Sequence, residues 1–237
     1  MSRESLVLEG LEVFESDDHL ETAIVAAAER GYAYAPFVFT DKLRQALRAE
    51  LATLPLSYVD RIEEPVNQGQ PNEVRQRYEG FYGPLDSAEV PVARFVARAL
   101  HERVQLLTTE YPELSQWQLN EAGYQVYRAG RHDGVSLHRD RGSDRLLAAT
   151  ITVSGASEVR IHEPLGAEDD YTNTRVVDSF RAMAGGVMLL RAAGLVGGAG
   201  GGQVLHEVLP PVNADRTVLN LRMRPVDRAG QVAALEI

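Results

Sequence analysis

Apolar and polar positions along this chain follow two periods, and the change from one to the other falls near the middle. In residues 17–31, Leu20, Ile24, Ala27 and Ala28 recur at helical spacing behind an acidic start, and Gly31 follows as a C-cap. The stretch 32–39 alternates aromatic and small residues and reads as a strand. Thr40-Asp41 then caps a second helix, KLRQALRAELATL, which ends near Pro55. Residues 57–86 carry Pro65, Pro71, Pro84, Gly69, Gly80 and Gly83, a loop composition, and long loops in compact domains often serve as binding lids. A third helix is predicted over 90–109.

From Trp117 onward the period becomes two. Short β-rich segments alternate with turns: AGYQVYR, VSLHR, LLAATITVSG, EVRIHE, TRVVDSF, GVMLLR, QVLHEVL and RTVLNLRMR. Eight such segments at close spacing predict an antiparallel sandwich or barrel, and the jelly roll sets eight strands in two sheets. The expected fold class is α+β: a double-stranded β-helix (jelly-roll) core with N-terminal helices packed on one sheet. No internal repeat and no domain-scale linker interrupts the 237 residues, which predicts a single domain. Within it, 1–116 reads as a mainly helical support and lid region and 117–225 as the jelly-roll core. The glycine-rich run 194–202 reads as a flexible surface loop; no Lys-Ser/Thr follows it, as a phosphate-cradling loop would require.

Composition narrows the class. Hydrophobic residues make up 44% and charged residues 24%, an ordinary globular balance. A formal net charge of -10 argues against a nucleic-acid backbone as the main partner. The absence of cysteine removes disulfides, thiolate metal sites and Cys nucleophiles, and fits a cytoplasmic protein. The start, MSRESLVLEGLEVF, lacks the basic end and apolar run of a signal peptide, and no apolar stretch approaches the roughly 18 residues of a membrane span. The expectation is a soluble protein with no membrane partner; the pattern leaves its oligomeric state open.

The candidate chemistry is a His-x-Asp pair, His138 and Asp140, with His206 far downstream. A chain of this makeup yields about one His-x-Asp/Glu by chance, so the pair alone means little. Context adds weight. In VSLHRDR the strand alternation points His138 and Asp140 one way and Val135, Leu137 and Arg139 the other. His206 shares a strand face with Val204 and Val208. Two imidazoles and one carboxylate form the facial triad that leaves coordination positions open on Fe(II). Of the other histidines, His19 and His101 fall on helices, His132 in a turn and His162 at a strand end. Arg216, Val218, Asn220 and Arg222 fall on one strand face, and a buried arginine calls for an anion, best a carboxylate held in bidentate fashion. Gln125 and Tyr127 share another face and offer hydrogen bonds to the same anion.

With these residues in place, 117–225 resembles the Fe(II)/2-oxoglutarate-dependent dioxygenase superfamily. YRAGRHDGVSLHRDR is similar to its tyrosine, Gly-containing turn and His-x-Asp run, and RTVLNLR to the Arg-x5-Arg strand of the AlkB-type branch. The resemblance implies Fe(II) on His138, Asp140 and His206, with 2-oxoglutarate surrounded by Gln125, Tyr127, Arg216 and Arg222. It makes Arg216 the first choice for the distal carboxylate. It also implies O2 as the oxidant, succinate and CO2 as products, and hydroxylation, desaturation or cyclisation at a C–H bond. The retained Asp140 argues against halogenation, for which the superfamily's radical halogenases give up that carboxylate. Substrate identity does not transfer, because the first half carries no matching motif. Arg75, Arg77 and Tyr78 in the expected lid, with Arg191, are candidates for an anionic or amino-acid-like substrate. Three readings stay open: an oxygenase acting on a small molecule such as an amino acid or natural-product intermediate, an AlkB-type nucleic-acid demethylase, and a cupin-like metal-binding jelly roll without oxygen chemistry.

Overall fold

The chain is seen in a computed structural model that describes residues 10–15, 17–63, 73–140, 144–166, 172–195 and 203–225. In chain order its helices are α1 (Asp17–Arg30), α2 (Asp41–Leu51) and α3 (Pro91–Gln105). Its strands are β1 (Tyr32–Ala35), β2 (Ser57–Glu63), β3 (Val74–Pro84), β4 (Glu121–Tyr127), β5 (Gly134–His138) and β6 (Leu147–Ser154), then β7 (Ala156–Pro164), β8 (Thr174–Met183), β9 (Val187–Arg191), β10 (Leu205–Val208) and β11 (Arg216–Arg222).

All the strand pairings are antiparallel, and β4 to β11 form the expected jelly roll. One sheet runs β1-β9-β6-β11-β4 and the other β5-β10-β7-β8. The long strand β3 joins them, pairing with β4 through one half and with β5 through the other. Apart from the β7–β8 hairpin, consecutive core strands alternate between the sheets, so the chain must turn a sharp corner between β6 and β7. Gly155 makes that corner at φ +69°, and a Cβ there would collide with the Asp215 carbonyl.

The first sheet is buried on both faces, and period two sorts its residues. Leu147, Ala149, Ile151, Val153, Val187, Leu189, Leu219 and Leu221 point outward into a core shared with the helices. Leu20, Ile24 and Ala28 of α1, Leu43 and Leu47 of α2, and Val96 and Leu100 of α3 complete that core, so the helices do pack on one sheet. Met188, Leu190 and Val218 point the other way, into a second apolar cluster between the sheets that includes Val159 and Ile161.

Helix ends are tied to this frame by named contacts. Thr40 caps α2 by accepting from the Leu43 amide. α3 has Pro at its first turn and no side-chain cap of its own. The buried Glu50 carboxylate of α2 takes that role: it accepts from the amides of Val92 and Ala93 and from the Tyr124 hydroxyl of β4, at 2.7 Å for the last. One carboxylate therefore fastens two helices to the first sheet. Burial pushes Glu50 above the usual carboxylate range, against the pull of these hydrogen bonds.

Several expectations are corrected. Residues 57–84 contain a β-hairpin, β2 paired with β3, and not a loop; the first half therefore holds three strands beside its helices. Gly and Pro dominated the composition, but Pro84 ends β3, Gly80 lies where the Tyr78 ring packs closely, and Pro65, Gly69 and Pro71 fall outside the described residues. The strand expected over 32–39 stops at Ala35, ahead of Phe37 at φ +55°. The third helix ends at Gln105, short of 109. Most of the predicted glycine loop, 196–202, lies outside the described residues.

The Glu50 junction yields a stability prediction. Glu50→Ala leaves two helix-start amides and a buried hydroxyl without their acceptor. The expected loss is about 2–4 kcal/mol, read as a lower urea midpoint at unchanged slope.

Candidate metal centre

β5 and β10 are neighbours in the second sheet, and their register sets His138 directly opposite His206. The two rings lie 4.2 Å apart between centroids. Asp140 follows the end of β5, with Oδ1 3.9 Å from His138 Nε2. One ligand atom from each of the three lies within 4.8 Å of the others. Ligands held about 2.1 Å from one ion at right angles would be about 3 Å apart, so small side-chain shifts close the site on a metal.

The histidines are oriented for this. His138 Nδ1 lies 2.8 Å from the Ser136 carbonyl and His206 Nδ1 lies 3.1 Å from the Val204 carbonyl. A carbonyl only accepts, so each Nδ1 carries the proton and each Nε2 keeps its lone pair. Such hydrogen bonds fix the rings of metal-bound histidines. Burial, reinforced by His206, holds the His138 imidazole down to about 3, which keeps it neutral and able to ligate.

The strand pattern assigned Val135 and His138 to opposite faces, yet both line the same cavity. The register between β10 and β5 shifts between His206 and Val208, so that Val208 faces Val135. A β-bulge of this kind adds one residue and turns the following side chains over. Arg139 also reaches the cavity, because the strand ends at His138 and the alternation with it.

The cavity is about 210 Å³ and lies between the sheets. His138, Asp140, His206, Gln125, Tyr127, Arg216 and Arg222 all line it, as does Tyr78 from the expected lid. Arg216 is 1% exposed and opposite Tyr127 in the β11–β4 register. Its Nη2 donates to Thr152 Oγ1 at 3.2 Å, its guanidinium lies over the Tyr127 ring at 5.7 Å, and Nε has no acceptor. Among the described residues no carboxylate pairs with it, and burial lowers its pKa. An arginine buried in this way calls for an anion.

Arg222, three pleat repeats away on the same strand face, is balanced differently. It lies 3.5 Å from Asp140 and 3.4 Å from Asp144. Burial pulls its pKa down, but these two carboxylates outweigh that and raise it. Asp144 in turn holds Arg224 at 2.9 Å. Sequence pattern alone did not pick out Asp144, which lies on no strand; its signal is its near-total burial.

Gln125 and Tyr127 are engaged with each other. The Tyr127 hydroxyl donates to Gln125 Oε1 at 2.6 Å and Asn220 Nδ2 donates to the same oxygen at 2.9 Å, while Gln125 Nε2 donates to the Tyr82 hydroxyl. Gly123 makes room for the Tyr82 ring, which would overlap any Cβ there. Three of the substrate candidates are not at the cavity. Arg75 is exposed, and Arg77 points outward to Asp60 at 3.5 Å, because β3 presents odd and even positions to opposite faces. Arg191 is buried at the end of α1, where it donates to the Ala28 carbonyl at 3.1 Å and neutralises the helix C-terminus.

No protein-family model matches the sequence, and no curated protein matches it. Solved structures do match in fold. A prolyl-4-hydroxylase of Pseudomonas putida superposes with a TM-score of 0.56 at 16% identity, over 87% of this chain and 99% of that one. A 2OG-Fe(II) oxygenase family oxidoreductase of Burkholderia pseudomallei gives 0.54 at 14% identity, over 94% and 98%. SnoN, a non-heme α-ketoglutarate-dependent epimerase from nogalamycin biosynthesis, gives 0.56 at 13% identity, over 87% and 83%. The chain thus has the double-stranded β-helix fold of the 2-oxoglutarate/Fe(II) oxygenases. Among the described residues no helix is long and apolar enough to cross a membrane.

The charge on Arg216 sets a prediction that needs no ligand. Arg216→Met replaces a buried cation that has no carboxylate partner among the described residues by an apolar chain of similar length. The metal-free, ligand-free protein is expected to gain about 1–3 kcal/mol in urea denaturation. Unchanged or lower stability would show that the guanidinium is compensated inside the fold.

Proposed function

We propose that the protein is an Fe(II)- and 2-oxoglutarate-dependent oxygenase that oxidises a C–H bond of a small molecule and releases succinate and CO2. One observation carries the reading: the cavity that holds a 2-His-1-carboxylate set also holds a buried guanidinium with no carboxylate partner among the described residues. A metal-binding jelly roll without oxygen chemistry would need the first feature and not the second.

The chain's own residues divide the work. His138, Asp140 and His206 would hold iron on one side and leave the positions toward the cavity open. Arg216 and the Thr152 hydroxyl would take the distal carboxylate of 2-oxoglutarate, with the Tyr127 ring beneath the guanidinium. Iron and 2-oxoglutarate together supply O2 activation when bound. Gln125, Tyr127, Asn220 and Tyr82 form a hydrogen-bonded wall that keeps the cavity's shape. Arg222 holds Asp140 in place and shares its charge with Asp144, so the ligand carboxylate is not left to swing. Val135, Met188, Leu190 and Val208 exclude water from the remaining space.

Anaerobic addition of Fe(II) and 2-oxoglutarate is expected to produce the weak visible charge-transfer band of the chelate. Arg216→Ala should raise the 2-oxoglutarate concentration needed for half-saturation by about 10–100-fold, the loss of a charge-assisted pair. His138→Ala should abolish the band at any concentration. Wild-type protein that shows no band would sink the proposal.

A further inference from the structure

Asp140 meets two neighbours through one oxygen. Its Oδ1 lies 3.9 Å from His138 Nε2 and 3.5 Å from Nη2 of Arg222. The other arm of that guanidinium, Nη1, lies 3.4 Å from Asp144 Oδ2. Arg222 therefore forks between two carboxylates at almost equal distance. Both contacts are longer than the roughly 2.7–2.9 Å of a fully formed charge-assisted hydrogen bond, so the fork is committed to neither side.

Asp144 is the fixed member of this group. It is 1% exposed, and its Oδ1 accepts from Arg224 Nη1 at 2.9 Å. Arg224, just past β11, exchanges two backbone hydrogen bonds of 2.8 Å with the Asn120 side chain. The residue after Asp144, Arg145, donates its amide to the Met223 carbonyl at 3.0 Å. Asp144 is thus fastened to the end of β11, whereas Asp140 belongs to the segment that follows β5. Asp144 does not line the cavity. It touches neither a metal nor a ligand held there, and its route to the site is Arg222.

A guanidinium and a divalent cation compete for one carboxylate oxygen. With Asp144 in place, Arg222 has a second anion to satisfy it. With Asp144 neutralised, the charge of a largely buried arginine turns to Asp140 and closes on Oδ1, because an uncompensated charge there is costly. We propose that Asp144 is a positioning residue for the metal: by holding one arm of Arg222, it lets Asp140 Oδ1 turn to the ion. Metal uptake then draws Asp140 away from Arg222 and shifts the guanidinium toward Asp144. This inference rests on the assignment of His138, Asp140 and His206 as metal ligands in the oxygenase reading above.

The test uses Mn(II) alone, titrated into the full chain and read as loss of the aqueous-ion EPR signal. Asp144→Asn is expected to weaken Mn(II) binding about tenfold, and Asp144→Glu, which keeps the charge, to recover most of that loss. A double-mutant cycle separates the route through Arg222 from a general effect on the fold. In an Arg222→Gln background, Asp144→Asn should cost less than about twofold, since no guanidinium remains to close on Asp140. Asp144→Asn also takes the acceptor from Arg224, so the cycle is repeated with Arg224→Gln present. The same result is expected there, and that background supplies the cycle if the single variant does not fold. An equal loss with and without Arg222, or no loss on neutralising Asp144, would overturn the proposal. Wild-type chain that takes up no Mn(II) marks failure of the metal assignment and of the oxygenase reading with it. Mn(II) uptake that is indifferent to Asp144 marks failure of this inference alone.

Discussion

The buried charge of Arg216 is the constraint on which the rest of this structure turns. A guanidinium at 1% exposure has lost its water, and the described residues offer it a threonine hydroxyl and an aromatic face in return. Neither cancels a full charge. Burying such a group costs several kcal/mol unless an anion meets it. The fold tolerates the cost because the surrounding strands are held from outside: Leu219 and Leu221, the neighbours of Arg216's strand face, lock β11 into the helix-packed core. Stability is supplied on one face of the first sheet and given up on the other, a division common at sites prepared for a ligand.

The same strand shows how position changes the meaning of one residue type. Arg216 and Arg222 share a face, yet their pKa values move in opposite directions, down for Arg216 through burial and up for Arg222 through Asp140 and Asp144. One end of β11 is left electrostatically open, and the other is closed by the protein itself. The closed end is where Asp140, a candidate metal ligand, sits. An open cation there would compete with the metal for that carboxylate; a cation already shared with Asp144 competes less and still fixes the side chain's direction.

Most of the barrel was legible because period two survives wherever a strand is buried on at least one face. The eight segments from AGYQVYR to RTVLNLRMR correspond to β4 to β11, and the helix-spaced stripe of Leu20, Ile24, Ala27 and Ala28 corresponds to α1. The cluster of His138, Asp140 and His206 was legible from residue types and spacing, although β5 ends at His138 and the pleat does not carry Asp140 to the cavity. What failed was whatever depends on a neighbour the sequence does not name. The bulge in β5 comes from pairing with β10, and it placed Val135 beside His138 against the alternation. The hairpin was hidden because Gly80 and Pro84 count as loop formers in composition but serve close packing and a strand end here. Arg75 and Arg77 seemed suited to a substrate only while their segment was a loop; on a strand they face solvent, and Arg61, never singled out, faces the cavity.

That exchange of arginines shows how the hairpin's register decides which side chains face the cavity. The eight core strands and the metal set fix where oxidation would occur, and β3 is the one strand that pairs with both sheets. Whatever is attached to β3 is therefore held in register with Gln125 on one side and Val135 on the other. β2 is attached there. Its inward positions, Ser57, Val59 and Arg61, lie at the end of rows that begin at the functional strands, so changing any one alters the wall facing the metal without touching a metal ligand or the Arg216 pocket. The outward positions, paired as Asp60 with Arg77, can hold the hairpin flat independently. A fold organised in this way can hold the cluster of His138, Asp140 and His206 fixed while the hairpin wall facing it varies.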